Sequence, residues 1–187
     1  MEMESQDIKT ESSSSDIDFS RINLGSGNTN FKGWLNVDVT RSAQMHVDLS
    51  DFPWPFPDEC ADELFASHIL EHFNKEGGLR FLEECQRILK PGGSLRLAVP
   101  DLDIFINAMQ GTEPEKVSGY RWTDLNHFMG GDARETNPYQ RHKYMYTDGG
   151  LIHQLSQAGF DGIRRREPHA LDSKQWVSFS LLMEAYK

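Results

Sequence analysis

Apolar residues in this chain fall into short runs broken by glycine, proline and polar clusters, and the runs change period along the sequence. Compact, β-rich runs predict strands at about 21–25, 34–39, 45–48, 62–67, 94–99, 162–167 and 176–185. Between the fourth and fifth runs the period lengthens. Leu79, Leu82, Cys85, Ile88 and Leu89 recur at helical spacing, which predicts a helix from about Glu76 to Lys90 stopped by Pro91-Gly92-Gly93. A second helix is predicted after Thr147, a residue type that caps helix starts; it carries Leu151, Ile152, Leu155 and Ala158 and ends at Gly159.

Helical segments between strands imply parallel pairing through crossovers, so the fold class is α/β with a mostly parallel seven-stranded sheet. The last run follows the sixth without room for a helix of normal length, and is expected to be antiparallel. The early crossovers are short. Residues 28–33 alone separate Gly27 from Trp34, too few for a crossover helix. Residues 102–146 begin with a helical pattern over 102–109, with Asp101 as a possible cap. They continue as a stretch rich in aromatic residues and histidine, punctuated by Gly111, Pro114, Gly119, Gly130-Gly131 and Pro138. Long connections of this kind serve as lids or binding loops, and this one is expected on the substrate side.

Composition narrows the class. A chain of 187 residues with 37% hydrophobic residues and a mean hydropathy of −0.60 has the size of one globular domain. Residues 1–20 are acidic and Ser-rich, hold six acids against Lys9 alone, and are expected to be a disordered tail before a domain spanning 21–187. The tail carries −5 of the formal net charge of −10, which leaves −5 on the body. An acidic body repels phosphate backbones, so nucleic acid is disfavoured as a partner. The run Arg164-Arg165-Arg166 reads as a solvated strand end rather than an anion site. Cys60 and Cys85 form neither a metal spacing nor a disulfide framework. No signal peptide or membrane span is recognisable, and the expected setting is reducing and cytoplasmic.

The most informative segment is Ile22-Asn23-Leu24-Gly25-Ser26-Gly27 followed by Leu35-Asn36-Val37-Asp38-Val39. It reads as a strand, a glycine turn and a second strand ending in a carboxylate. The glycines permit a tight turn and close approach of a ligand to the backbone. Asp38 has the acceptor capacity to bind two vicinal hydroxyls, such as those of a ribose. This describes a nucleoside site at the carboxyl edge of a parallel sheet. A pyrophosphate would require a third glycine where this chain has Asn30, and a helix behind the turn.

Taken in order, Asn23-Leu24-Gly25-Ser26-Gly27, Asn36-Val37-Asp38, Val47-Asp48-Leu49, the run from Ala61 to His72, Arg87 to Gly93, and Ala158-Gly159-Phe160 resemble the class I S-adenosylmethionine-dependent methyltransferases. Within them the chain is most similar to the small methyltransferases of the type 11 kind. The resemblance implies a Rossmann-like sheet of order 3-2-1-4-5-7-6 with the last strand antiparallel, and S-adenosyl-L-methionine as cofactor. It implies that Gly25, Ser26 and Gly27 lie at the methionine and ribose part of the cofactor. Asp38 then takes the ribose hydroxyls, and Asp48 and Leu49 the adenine. Ser67 and His68 face the sulfonium, while the Leu-Glu-His triplet at 70–72 is structural. Asn23 stands where the family often has an acid, and would meet the methionine ammonium without charge assistance.

Methyl transfer to a hydroxyl also requires a base, and histidine is the usual one near neutral pH. His68 and His142 are the candidates carried forward; His72 reads as a packing residue, and His127 and His142 fall in the expected lid with Arg134, Arg141, Tyr139, Tyr144 and Tyr146. Asn137-Pro138-Tyr139 resembles an amino-methylating motif but lies after the fifth strand, so it reads as a turn. Asp101 and Asp103 read as capping residues, and no metal ligand is assigned. The expected acceptor is a small molecule or glycan, modified at oxygen, and the expected protein is a monomer or homodimer without a membrane partner. The alternative is a nucleoside-binding module of the same fold that has lost turnover, as Asn23 and the missing helix would allow. A nicotinamide-dependent oxidoreductase is disfavoured by Asn30.

Overall fold

The computed structural model describes residues 17–110, 141–174 and 177–187. Its strands are β1 (Arg21–Leu24), β2 (Leu35–Asp38), β3 (Met45–His46), β4 (Ala61–Ser67), β5 (Leu89–Pro100), β6 (Asp161–Arg165) and β7 (Ser180–Tyr186). They form one sheet in the order β3-β2-β1-β4-β5-β7-β6, the order the resemblance implies. Strands β1 to β5 pair in parallel, and β7 runs antiparallel to both β5 and β6. The helices are α1 (Lys75–Ile88), α2 (Leu102–Met109) and α3 (Asp148–Gln157), with a 3-10 turn at Leu70–His72 between β4 and α1.

The predicted Thr147 cap is observed, whereas α1 ends at Ile88, before Pro91-Gly92-Gly93, which lie within β5, and its Asn74 cap was not read from the sequence. The Asn74 side chain accepts a hydrogen bond from the Gly77 N–H at the start of α1, and Thr147 does the same for Gly150 at the start of α3. Phe81, Leu82, Cys85 and Ile88 present a buried face of α1 to the sheet. At the start of α2 the Asp101 carboxylate accepts from the Asp103 N–H at 3.0 Å.

Three boundaries move for physical reasons. Strand β5 begins at Leu89 rather than 94. Leu89 pairs with Ala61 and Ser94 with Glu63, so Lys90–Gly93 bulge opposite a single residue. That bulge is closed from outside by the Gly92 N–H on the Lys187 carbonyl and the Lys187 N–H on the Gly93 carbonyl. Strand β7 starts at Ser180, after a 3-10 turn over Val177–Phe179. At the other end, packing starts inside the expected tail: Phe19 meets the Phe56 ring edge-on at 6.0 Å, and the Ser20 carbonyl accepts from the Asp62 and Glu63 N–H groups. The rest of that tail, and residues 111–140 of the expected lid, lie outside the described residues.

The short β1–β2 connection is held by amides instead of a helix. The Asn36 side chain is buried and bonds the Phe31 and Trp34 carbonyls and Gln44, while its oxygen accepts from the Phe31 N–H and from Asn23. Phe31, Trp34 and Phe65 pack edge-on around this network. One arginine ties α1 to the segment before β4. Arg87 grips both Glu84 oxygens, Asp58 and the Phe56 and Trp54 carbonyls.

Candidate active site

The carboxyl ends of β1, β2 and β4 meet where the strand order reverses on either side of β1, and the predicted residues gather there. The Gly25 and Ser26 N–H groups both bond the Val37 carbonyl, at 2.9 and 3.0 Å, which folds the loop over the end of β2. Gly25 and Gly27 have φ of +71° and +54°, the left-handed region that other residues avoid. Their surroundings differ. A Cβ on Gly25 would lie 2.8 Å from the Ile69 side chain, whereas a Cβ on Gly27 would meet nothing within 4 Å. Gly25 therefore makes room for Ile69, and Gly27 faces open space.

Asp38 ends β2. One carboxylate oxygen accepts from the Gly27 N–H at 2.9 Å and the other from the Thr40 N–H at 2.8 Å. An ionised carboxylate has about four lone-pair directions, so acceptor capacity for about two more donors remains. Ser26 is buried, and its hydroxyl has no hydrogen-bond partner among the described residues; a buried orphan hydroxyl is costly unless something supplies a partner. The donors of Asn23 go to Thr29 and Asn36, so this amide braces the loop from beneath. Asp48 holds its own turn through the Ser50 N–H and hydroxyl. The Leu49 side chain is in the core and its carbonyl accepts from the Trp54 indole.

Ser67 and His68 follow at the end of β4. His68 has φ +54°, rare for a side chain of this size, and is pinned there by its N–H on the Ala98 carbonyl. Its Nδ1 lies 3.2 Å from the Glu71 Oε1 and its Nε2 2.8 Å from the Ser180 hydroxyl. Glu71, expected to be merely structural, is fully buried; its carbonyl accepts from the Lys143 and Tyr144 N–H groups, which docks that strand of chain on the turn. Burial drives the Glu71 carboxyl upward, but the His68 hydrogen bond and the imidazoles of His68, His72 and His142 outweigh it and hold the group below its ordinary value. His142 is buried with Nε2 3.9 Å from Glu71. The structure thus brings His68, His142 and Glu71 together. His127, Arg134 and Tyr139 lie outside the described residues.

Two residues of this cluster escaped the sequence reading. Ser180 comes from the far end of the chain and no local pattern marks it. Glu71 could have been flagged by its spacing of three from His68. In the arginine run, Arg164 and Arg165 are exposed at the end of β6, as a solvated strand end would be, and pair with Glu184 and with Asp148 and Asp101. Arg166 departs from that reading, because its side chain is buried against Asp172.

Residues 13–97 match the family model described as a methyltransferase domain. The fold matches a SAM-dependent methyltransferase from Archaeoglobus fulgidus with a TM-score of 0.56 at 15% identity, over 91% of this chain and 88% of that one. It also matches an S-adenosylmethionine-dependent methyltransferase from Mesorhizobium loti with a TM-score of 0.53 at 13% identity, over 91% and 93% of the two chains. A third match, with a TM-score of 0.54 at 15% identity, is to a complex between the Haloferax volcanii Trm112 methyltransferase activator and a putative methyltransferase, over 90% of this chain and 82% of that one. No curated protein matches the sequence.

Proposed function

We propose that this chain, a class I S-adenosylmethionine-dependent methyltransferase of the type 11 kind by its matched domain and its fold, holds its cofactor along the Gly25–Gly27 loop and Asp38 and methylates a hydroxyl of a small molecule or glycan. The observation that carries the reading is Asp38. Its carboxylate is oriented by two backbone N–H groups, keeps acceptor capacity, and stands beside the open face of Gly27. Ribose hydroxyls are the donors that fit it. The orphan Ser26 hydroxyl is a second group that a polar ligand would satisfy. Ser67 ends β4 and His68 follows it, next to β1 in the sheet, and Asp48 and Leu49 follow β3 on the far side of β2.

When bound, the cofactor supplies a methyl group on a sulfonium, already activated toward a nucleophile. What remains for the protein is to place the acceptor, exclude water and take the acceptor's proton. His68 is built for that last task. Glu71 fixes one ring nitrogen, and the other already faces a hydroxyl, that of Ser180, at 2.8 Å. An acceptor hydroxyl that displaces Ser180 leaves its proton on Nε2, and the buried Glu71 carboxylate stabilises the resulting imidazolium. His142 lines the same cluster and orients the acceptor.

Calorimetry with S-adenosylmethionine and S-adenosylhomocysteine tests the cofactor site. Micromolar binding by the parent, weakened at least tenfold in Asp38→Ala with the fold retained, is the expected result; no binding by a well-folded parent overturns the reading. His68→Ala is expected to keep cofactor affinity and lose about 10²- to 10⁴-fold in turnover of a labelled methyl donor. The second reading, a binding module without turnover, is favoured by one feature: Ile69 covers the face of Gly25. It predicts cofactor binding with no methylated product from any acceptor pool.

A further inference from the structure

Glu71 sits in the 3-10 turn beside His68, yet only one of its oxygens is used by that contact. The other, Oε2, is buried without a hydrogen-bond partner among the described residues, on a side chain that is 1% exposed. A buried carboxylate with an unsatisfied oxygen is expensive to keep, and two imidazoles stand beside this one. Glu71, His72 and His142 each offer a ligand atom, and these atoms all lie within 4.8 Å of one another. We infer that these three residues form a binding site for a divalent transition cation of the zinc class.

The imidazole of His72 supports this independently. Its Nδ1 lies 3.2 Å from the Arg141 carbonyl, which can only accept, so Nδ1 carries the proton. In the neutral ring the lone pair is then on Nε2. A ring N–H bonded to a backbone carbonyl, with the opposite nitrogen left basic, is the outer-shell arrangement that orients metal-binding histidines. Glu71 has a comparable brace, since His68 holds its Oε1 at 3.2 Å, and the His142 Nε2 lies 3.9 Å from that oxygen. His142 is kept opposite by the backbone bonds from Lys143 and Tyr144 to the Glu71 carbonyl, and its ring meets that of His72 edge-on at 5.1 Å.

Two imidazoles and one carboxylate make a mixed nitrogen and oxygen set, which suits zinc, cobalt or manganese rather than calcium or magnesium. Metal–ligand bonds of about 2.1 Å would set neighbouring ligand atoms about 3.0–3.4 Å apart, so occupancy draws the cluster inward by roughly an ångström from its present spread. Three protein ligands leave at least one coordination position for an oxygen from water or a ligand. His72 is half-buried, which gives the site a mouth. The inference is separate from cofactor binding, and its test reads metal alone.

Chelator-stripped protein titrated with Zn²⁺ against a chromogenic competitor is expected to take up one equivalent. Affinity is expected to fall at least tenfold in His72→Ala and in His142→Ala, and to be unchanged in His153→Ala, which alters an exposed histidine of α3. Co²⁺ substitution should give visible absorption bands that the first two variants lose. Circular dichroism checks each fold, and if His142→Ala does not fold, the half-buried His72 decides. Absence of stoichiometric binding by the folded parent, or equal binding by the parent and His72→Ala, overturns the inference.

Discussion

Ser26 is a residue whose hydroxyl earns nothing in the protein by itself. It is buried with no hydrogen-bond partner among the described residues, so Ser26→Ala is expected to leave the thermal midpoint unchanged or slightly raised. If the hydroxyl meets the cofactor, the same change weakens binding by about 3- to 10-fold, the worth of one neutral hydrogen bond; calorimetry beside a melting curve separates the two effects. Gly25 behaves in the opposite way. Its φ of +71° and the Ile69 side chain both oppose a Cβ, and Gly25→Ala should cost about 2 kcal/mol in denaturant unfolding. Sequence alone placed Gly25, Ser26 and Gly27 in one turn and Asp38 at the tip of the neighbouring strand, because the turn and the strand are close along the chain. It could not say that Gly25 serves Ile69 while Gly27 faces open space, since Ile69 arrives from beyond β4.

At the scale of elements, the β1–β2 connection replaces a helix with a buried amide network. Asn36 makes five hydrogen bonds within it, and several backbone groups would be orphaned by its loss. Asn36→Ala is therefore expected to destabilise the protein by about 3 kcal/mol or more, and to loosen cofactor binding because the glycine loop rests on it. Urea unfolding and calorimetry on the same samples check both. The shortness of this connection was legible from spacing, and so was the need for an irregular solution. The solution was not, because Asn36 falls within a strand run and nothing in the local pattern pairs it with Gln44. Helix α1 was legible from its apolar period, but its Asn74 cap was not, and it ends at Ile88, two residues before the expected end, because Leu89 already pairs with Ala61 in the sheet.

For the whole molecule, carboxylates paired with arginine set the response to acid. Burial pushes Glu84, Asp172 and Glu184 upward, but hydrogen bonds from Arg87, Arg166 and Arg164 respectively outweigh it and leave all three below their ordinary values. A depressed carboxyl stabilises the fold above its unfolded pKa, and that contribution is lost as pH falls through the folded value. Melting temperatures should thus drop progressively below about pH 4. Asp101 opposes the trend, because burial raises it. Asp172→Asn leaves the buried Arg166 guanidinium uncompensated and should cost about 3 kcal/mol at neutral pH. These pairings were illegible in the run Arg164-Arg165-Arg166, whose partners are Glu184 on β7, Asp148 on α3, Asp101 and Asp172. The strand order itself carries a consequence in time. Pairs among β1, β2 and β3, and of α1 with its flanking strands, join neighbours along the chain, but β5 waits for β7, which arrives some ninety residues later, and β6 reaches the sheet only through β7. Closing so wide a loop is slow. The cofactor edge should therefore assemble first and the β6–β7 hairpin clamp on last, bringing Ser180 to His68 as a final step; pulse-labelled hydrogen exchange during refolding would show amides of β1 and β4 protected before those of β7.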